Sequence, residues 1–183
     1  MGVAGVISVD QNFKITMDNI LIAYFVRKSH ASSFSKRVAD DIASALLEKG
    51  RASVEYAMTP VESYPVDNPA EFDQIVRLEK TNHLRPALTH RVGRWNDYKT
   101  IIIVAPNWDG DYPMGVYSFL DDYDFSGRRI IPVVVHNGDE GKTIRQEVRE
   151  YMSEADVFDG VDIPQGSAID SQAVAKVVAT AIG

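Results

Sequence analysis

Three short segments of the sequence carry side chains that could do chemistry, and each follows an apolar run. The first is residues 26–35, where four serines and two basic side chains precede a helical pattern: Arg27, Lys28, Ser29, Ser32, Ser33 and Ser35. Free N–H groups and the dipole at a helix start favour an anion, and hydroxyl groups add donors. This segment is predicted to bind a phosphate group, with an ordinary serine-capped helix as the alternative. We rank the two basic side chains below the serines, because they could point to solvent.

The second segment, residues 105–114, offers a surface for a planar ring. Trp108 follows a strand-like run at a point where burial by a sheet would end, so its indole could stack on a flat ligand. The candidate binding residues here are Pro106, Asn107, Trp108, Asp109 and Gly110. A core or subunit-interface role for the tryptophan is the alternative, since this residue type is enriched in both settings.

The third segment, residues 136–142, combines a lone histidine with two glycines. Glycine allows the backbone to approach a ligand closely, so His136, Asn137 and Gly138 are further binding candidates. A histidine in such a loop more often hydrogen-bonds locally than donates a proton in catalysis. The sequence contains no Ser/His/Asp order and no metal-ligand spacing, so neither catalytic residues nor a metal site is predicted.

Composition excludes several classes of function. The chain has 183 residues, a net charge of −7 and no cysteine. The absence of cysteine excludes disulfides, thiol nucleophiles and cysteine-ligated iron–sulfur clusters. No basic block is present, which argues against nucleic-acid binding. No apolar run reaches the 18–20 residues or so of a membrane span, and a cytoplasmic protein is expected.

The elements that must position these segments alternate between strand and helix. Apolar, β-branched runs predict strands over residues 20–25, 53–58, 100–105, 129–135 and 156–161. Helical periodicity between them predicts helices over residues 35–49, after Pro69, after Pro113, around residues 144–152 and at the C-terminal end. This alternation predicts one three-layer, doubly wound α/β domain with a parallel sheet. Ligands in such sheets bind beyond the carboxyl ends of the strands, where the three segments lie.

Several stretches together resemble one known family. They are ILIAYF and SKRVADDIA, the VESYPVD turn, DYKTIIIVAPNW, and PMGVYSFLDDYDFSGRRIIPVVVH. The sequence from residue 19 to residue 182 resembles the flavodoxin-like family, and the Pro-Asn-Trp motif followed by Pro-Met is typical of one of its subgroups. Residues 19–183 are therefore expected to form the domain, and residues 1–18 an N-terminal extension.

The resemblance implies a five-stranded sheet of order 2-1-3-4-5 with flavin mononucleotide (FMN) at the three loop tips. By this resemblance the phosphate would lie on the first segment and the isoalloxazine between the second and third. Pro106, Asn107, Trp108 and Gly110 would line the ring, and Gly138 with its neighbours would hold the pyrimidine end. The first segment nevertheless lacks the Gly, Asn and Thr of the family pattern, and the third carries two acidic residues.

The resulting expectation is an FMN-binding protein that acts in electron transfer or as a small flavin oxidoreductase. Its partner would be a redox protein or a small-molecule electron donor, and a homodimer is left open. The alternative is a cofactor-free interaction or scaffold protein that keeps the same fold, because fold alone does not determine function.

Overall fold

A computed structural model describes residues 16–27 and 33–183, with side chains from residue 19 onward. Six strands form one sheet: β1 (Thr16–Phe25), β2 (Arg51–Met58), β3 (Thr100–Pro106), β4 (Arg129–His136), β5 (Asp156–Val157) and β6 (Val161–Pro164). Five helices accompany them: α1 (Phe34–Glu48), α2 (Pro69–Thr81), α3 (Met114–Asp122), α4 (Lys142–Tyr151) and α5 (Ser171–Ile182). Among the described residues, every helix is too short or too polar to span a bilayer.

The strand order β2-β1-β3-β4-β5, with every pairing parallel, confirms the predicted 2-1-3-4-5 sheet. Helices cover both faces of the sheet. Alternate residues of β1 show the reason, since Leu21 and Ala23 face the layer of α2, α3 and α4, whereas Ile20 and Ile22 face α1 and α5. The architecture is therefore a three-layer α/β domain.

The predicted fifth strand, residues 156–161, is the main correction to the strand assignment. The segment forms two short strands, because its pairing with β4 is interrupted opposite Pro132. The carbonyl of Ile130 accepts from the N–H of Phe158 at this edge of β4. Backbone groups two residues apart on a strand point to the same side, so those of Pro132 face this edge too. Proline has no N–H to donate there. Gly160 turns the chain back at φ 67°, and β6 then pairs with the carboxyl half of β4.

Local sequence signals mark where several of these elements begin or end. α2 begins at Pro69, and the side chain of Asn68 caps it by accepting from the N–H of Glu71 at 3.1 Å. α1 ends before Gly50, whose φ of 74° is costly for other residues. β1 begins at Thr16, four residues before the predicted start.

Candidate functional site

Parallel pairing brings the carboxyl ends of β1, β3 and β4 to one edge of the sheet, and the loops that follow these strands form the candidate site. The described residues of all three predicted binding segments lie in these loops or at the ends of the adjoining elements. Ser29 and Ser32 fall outside the described residues.

Ser33 and Ser35 belong to the start of α1. The Oγ of Ser33 accepts a hydrogen bond from the N–H of Lys36 at 3.1 Å, which makes Ser33 the helix N-cap. Ser35 is buried in the first turn of the helix. Their binding of a phosphate stays a prediction, and a capping role is the one that the geometry shows for Ser33.

Arg27 lies just after β1 and is turned inward, which differs from the expectation that it could point to solvent. Its guanidinium lies over the ring of Phe72, 4.1 Å from the centroid, and donates to the carbonyl of Pro65. Its Nε is buried and has no hydrogen-bond acceptor among the described residues. Burial lowers the pKa of the guanidinium from its usual range. An acceptor with negative charge at this Nε would satisfy the donor and offset the burial.

Trp108 occupies the centre of an aromatic cluster at the exit of β3. Three rings meet it edge to face, with centroids at 5.1 Å for Phe25, 5.1 Å for Tyr64 and 4.9 Å for Phe72. The hydroxyl of Tyr64 donates to the carboxylate of Glu79 at 2.9 Å, which anchors the cluster to α2. The indole is half-buried, so part of its surface remains open. Its stacking on a ligand ring stays a prediction.

The loop after Trp108 is a tight turn. Asp109 and Gly110 both have positive φ, 54° and 82°, and the N–H of Trp108 donates to the carbonyl of Asp111 at 2.8 Å. Two positive φ values at the centre of a turn are typical of type I′, for which Asp-Gly is a preferred pair. The Asp-Gly dipeptide was therefore an available sequence signal for this geometry.

Asn107 joins the second loop to the third. Its Oδ1 accepts from the N–H of Gly110 at 2.8 Å, and its Nδ2 donates to the carbonyl of Asp139 at 3.2 Å. Pro106, the last residue of β3, lies half-buried opposite Val135. The amide side chain thus holds the two loops at a constant separation across the edge of the sheet.

The loop after β4 is exposed and built on glycine. Gly138 has φ 110°, and its N–H donates to the Nδ1 of His136 at 3.1 Å. This hydrogen bond makes Nδ1 an acceptor, so the neutral imidazole carries its proton on Nε2. Asn137 and Asp139 are exposed. Among the described residues, no group of His, Asp and Glu side chains is arranged to hold a metal ion.

Sequence reasoning missed the partners that other elements bring to this edge. Phe72 comes from α2 and Tyr64 from the connection before it, so neither is near Arg27 or Trp108 in the sequence. The resulting site combines an aromatic cluster, an inward cation whose buried Nε has no acceptor in the described part of the chain, and the two loops that Asn107 joins. A planar ring with an anionic tail fits this set of groups.

Comparison with known proteins agrees with the topology. The flavodoxin family model matches residues 19–179. A proposed flavoprotein from Bacteroides uniformis superposes with a TM-score of 0.73 at 20% identity, covering 90% of this chain and 99% of the other. A second from Bacteroides eggerthii gives a TM-score of 0.72 at 16% identity, covering 90% and 98%.

A flavoprotein from Lactobacillus acidophilus, solved in complex with FMN, gives a TM-score of 0.64 at 19% identity, covering 80% of this chain and 93% of the other. No curated protein matches the chain in a sequence comparison. At these identities the structural likeness establishes the fold, and the family match extends that likeness to the sequence.

Proposed function

This chain belongs to the flavodoxin family, and from that premise we propose that it binds FMN at the β1, β3 and β4 loop tips and serves as an electron-transfer protein or small flavin oxidoreductase. The observation that carries the proposal is the buried, unpartnered Nε of Arg27, which lies beside the aromatic cluster of Trp108. The Nε of Arg27 could donate to an anion of a ligand, and the indole of Trp108 could pack against a flat ring of the same ligand. FMN contains both.

Each group of the site has a role in this proposal. Arg27 would hold the phosphate, together with the N-terminus of α1. Trp108 would pack against the ring, and the loops that carry Asn107 and Gly138 would border its polar edge. Bound FMN would supply the one- or two-electron chemistry.

Acidic side chains around the ring site would influence the redox potential. Asp109, Asp139 and Glu140 are exposed at the two loops, where their charges oppose the arrival of further negative charge. We therefore expect the protein to lower the potential of its flavin. A redox partner with a basic surface, or a small-molecule electron donor, would complement the net charge of −7.

Titration of the protein with FMN and with riboflavin tests the proposal. Calorimetry and the loss of flavin fluorescence both measure the affinity. Charge-assisted hydrogen bonds contribute about 1.5–3 kcal/mol each, so loss of two should make riboflavin bind at least about a hundredfold more weakly. Equal affinities would remove the phosphate site from the proposal. No binding of either compound would favour the cofactor-free alternative.

A further inference from the structure

A cavity of about 740 Å³ lies on the α2, α3 and α4 side of the molecule, below the turn that follows Trp108. Arg77, Lys80 and Thr81 of α2 line one side of it, and Tyr117 of α3 and Tyr151 of α4 line the other. The volume lies in the range of small-molecule sites. Of the residues that line the cavity, Asp109 alone was assigned to the proposed FMN site.

The cavity exists because α3 is short and lies deep. The helix spans nine residues, and those from Met114 to Leu120 are all buried. α2 and the segment that follows it form one wall of the cavity, and α4 forms the other. α3 is the floor between these two walls. Met114 and Tyr117 form the part of this floor that the cavity reaches.

One wall presents cationic and hydroxyl donors from a single face of α2. Arg77, Lys80 and Thr81 are spaced i, i+3 and i+4, which places them side by side on a helix. The Nζ of Lys80 donates to the carbonyl of Asp109 at 2.7 Å and keeps two further N–H groups. The two cations on this wall, Arg77 and Lys80, contrast with the net charge of −7 of the whole chain. This wall is suited to an anion.

The carboxylates of the cavity leave that wall available. Asp109 approaches Arg77 at 4.0 Å, but the two side chains are 52% and 70% exposed, so the pair is weak. One carboxylate oxygen of Asp111 already accepts from the hydroxyl of Tyr117 at 2.6 Å and from the N–H of Tyr112 at 2.7 Å. Burial is the main cause that raises the pKa of Glu147 above its usual range, and the negative charge of Asp111 adds to this effect.

The opposite side presents an aromatic surface held in a defined position. Tyr117 and Tyr151 meet edge to face with centroids 5.1 Å apart. Arg85 fixes the outer ring, because it donates to the hydroxyl of Tyr151 at 3.2 Å and binds Asp121 at 2.7 Å. Tyr151 lines the cavity and is 43% exposed, so part of its ring is open to a ligand.

We propose that this cavity binds a planar aromatic molecule that carries one anionic group, a phosphate or a carboxylate. The ring packs against Tyr151 and Tyr117, and the anion lies at Arg77, Lys80 and Thr81. The Asp109–Gly110 turn separates this site from the proposed FMN site, so both sites share one loop. The inference does not depend on FMN binding, because every group that carries it lies outside the FMN site apart from the shared turn.

The test uses the full chain, with and without saturating FMN, and 1-naphthyl phosphate as the probe. 1-Naphthoate tests the carboxylate, 1-naphthol the ring alone, and inorganic phosphate the anion alone. Calorimetry measures affinity, and the Met114 methyl signal in ¹H–¹³C spectra, assigned with Met114→Leu, reports occupancy of the cavity floor. The variants are Lys80→Ala and Tyr151→Ala, with Lys176→Ala on α5 as the matched control.

We expect 1-naphthyl phosphate, 1-naphthoate or both to bind and to shift the Met114 signal, whether or not FMN is present. Lys80→Ala should weaken that binding about tenfold, the scale of one charge-assisted hydrogen bond, and leave 1-naphthol unaffected. Tyr151→Ala should weaken both kinds of probe, and Asp109→Asn should strengthen the anionic ones. Lys176→Ala should change nothing.

The proposal would be overturned by no binding of either anionic probe, by binding unchanged in Lys80→Ala and Tyr151→Ala, or by binding of inorganic phosphate as tight as that of the aromatic phosphate. Competition by FMN without a Met114 shift would place the probe in the cofactor site and would equally overturn it. Failure of the protein to bind FMN would leave this test intact. The two proposals therefore fail separately.

Discussion

The guanidinium of Arg27 lies face-on over the ring of Phe72, 4.1 Å from its centroid, and Phe72 in turn meets Trp108 at 4.9 Å. One phenyl ring therefore connects the cation at the end of β1 with the indole at the end of β3. Both partners of Phe72 lie at the proposed cofactor site.

Arg27→Gln removes the charge and the buried Nε donor. If Arg27 holds the FMN phosphate, FMN affinity should fall by about 1.5–3 kcal/mol, whereas riboflavin affinity should stay the same. Arg129→Gln is the matched control, because Arg129 also covers an aromatic ring, that of Phe158 at 4.8 Å, but at the amino end of β4. An equal loss for FMN and riboflavin would place Arg27 at the ring instead of the phosphate.

Trp108→Ala should weaken FMN binding by about 1–2 kcal/mol, the scale of an aromatic contact with lost burial. Trp95→Ala is the control: Trp95 packs against Tyr123 at 4.5 Å before β3, at the opposite end of the strand. That variant should lose stability and keep its FMN affinity. FMN should also quench the fluorescence of Trp95→Phe, in which Trp108 is the one remaining tryptophan. Undiminished FMN affinity in Trp108→Ala would remove Trp108 from the site.

Asn107→Ala cuts both connections that the side chain makes, to Gly110 and to Asp139. The N–H of Gly110 should then exchange faster with solvent, and FMN affinity should fall by about 0.5–1.5 kcal/mol. Asn107→Asp keeps the acceptor for Gly110 and should retain the slow exchange of that amide. Asn82→Ala, on the end of α2, is the control for loss of an amide side chain. Equal exchange of Gly110 in the wild type and Asn107→Ala would contradict the prediction.

Gly160→Ala tests the close approach that ends the break between β5 and β6. A methyl group there would lie 1.9 Å from the carbonyl oxygen of Pro132, and φ is 67°. Gly127 has a similar φ of 69° with nothing within 4 Å, so Gly127→Ala measures the backbone cost alone, about 1–2 kcal/mol. Urea unfolding should show an additional loss of about 1–3 kcal/mol for Gly160→Ala. Equal losses would show that the chain relaxes around the methyl group.

Stability should fall at alkaline pH because of Tyr56. Burial is the main cause that raises the pKa of its hydroxyl to about 12, and the hydroxyl donates to the carbonyl of His90 at 2.6 Å. A raised folded-state pKa gives stability that is fully present below pH 10, the unfolded value, and is lost as the pH rises towards 12. The loss should reach about 2–3 kcal/mol from this residue. Urea midpoints between pH 9 and 12 should decline less steeply in Tyr56→Phe, and identical slopes would contradict the assignment.

Much of the fold could be predicted from local patterns. Continuous apolar runs such as residues 100–105 indicate strands buried on both faces, and the helical periods between them require parallel connections. Pro69 marks the start of a helix by its own backbone chemistry. The positions of the three candidate loops follow from this pattern, since the carboxyl ends of parallel strands share an edge.

The break in the last strand could not be predicted in the same way. Residues 156–161 are β-branched enough to suggest one strand, but whether their N–H and C=O groups find partners depends on the facing residue of β4. That residue is Pro132, and the pairing register makes it face the edge where a donor is needed. Register is a property of two strands and not of one segment.

By itself the sequence determined which segments meet at the carboxyl edge of the sheet, because periodicity and turn residues act over a few neighbours. Tertiary structure alone decided which way their side chains turn. Arg27 is held inward by Pro65 and Phe72, 38 and 45 residues along the chain, and Trp108 is surrounded by rings from three other segments. Such contacts depend on how α2 packs against the sheet, and packing energies join residues that no local pattern links.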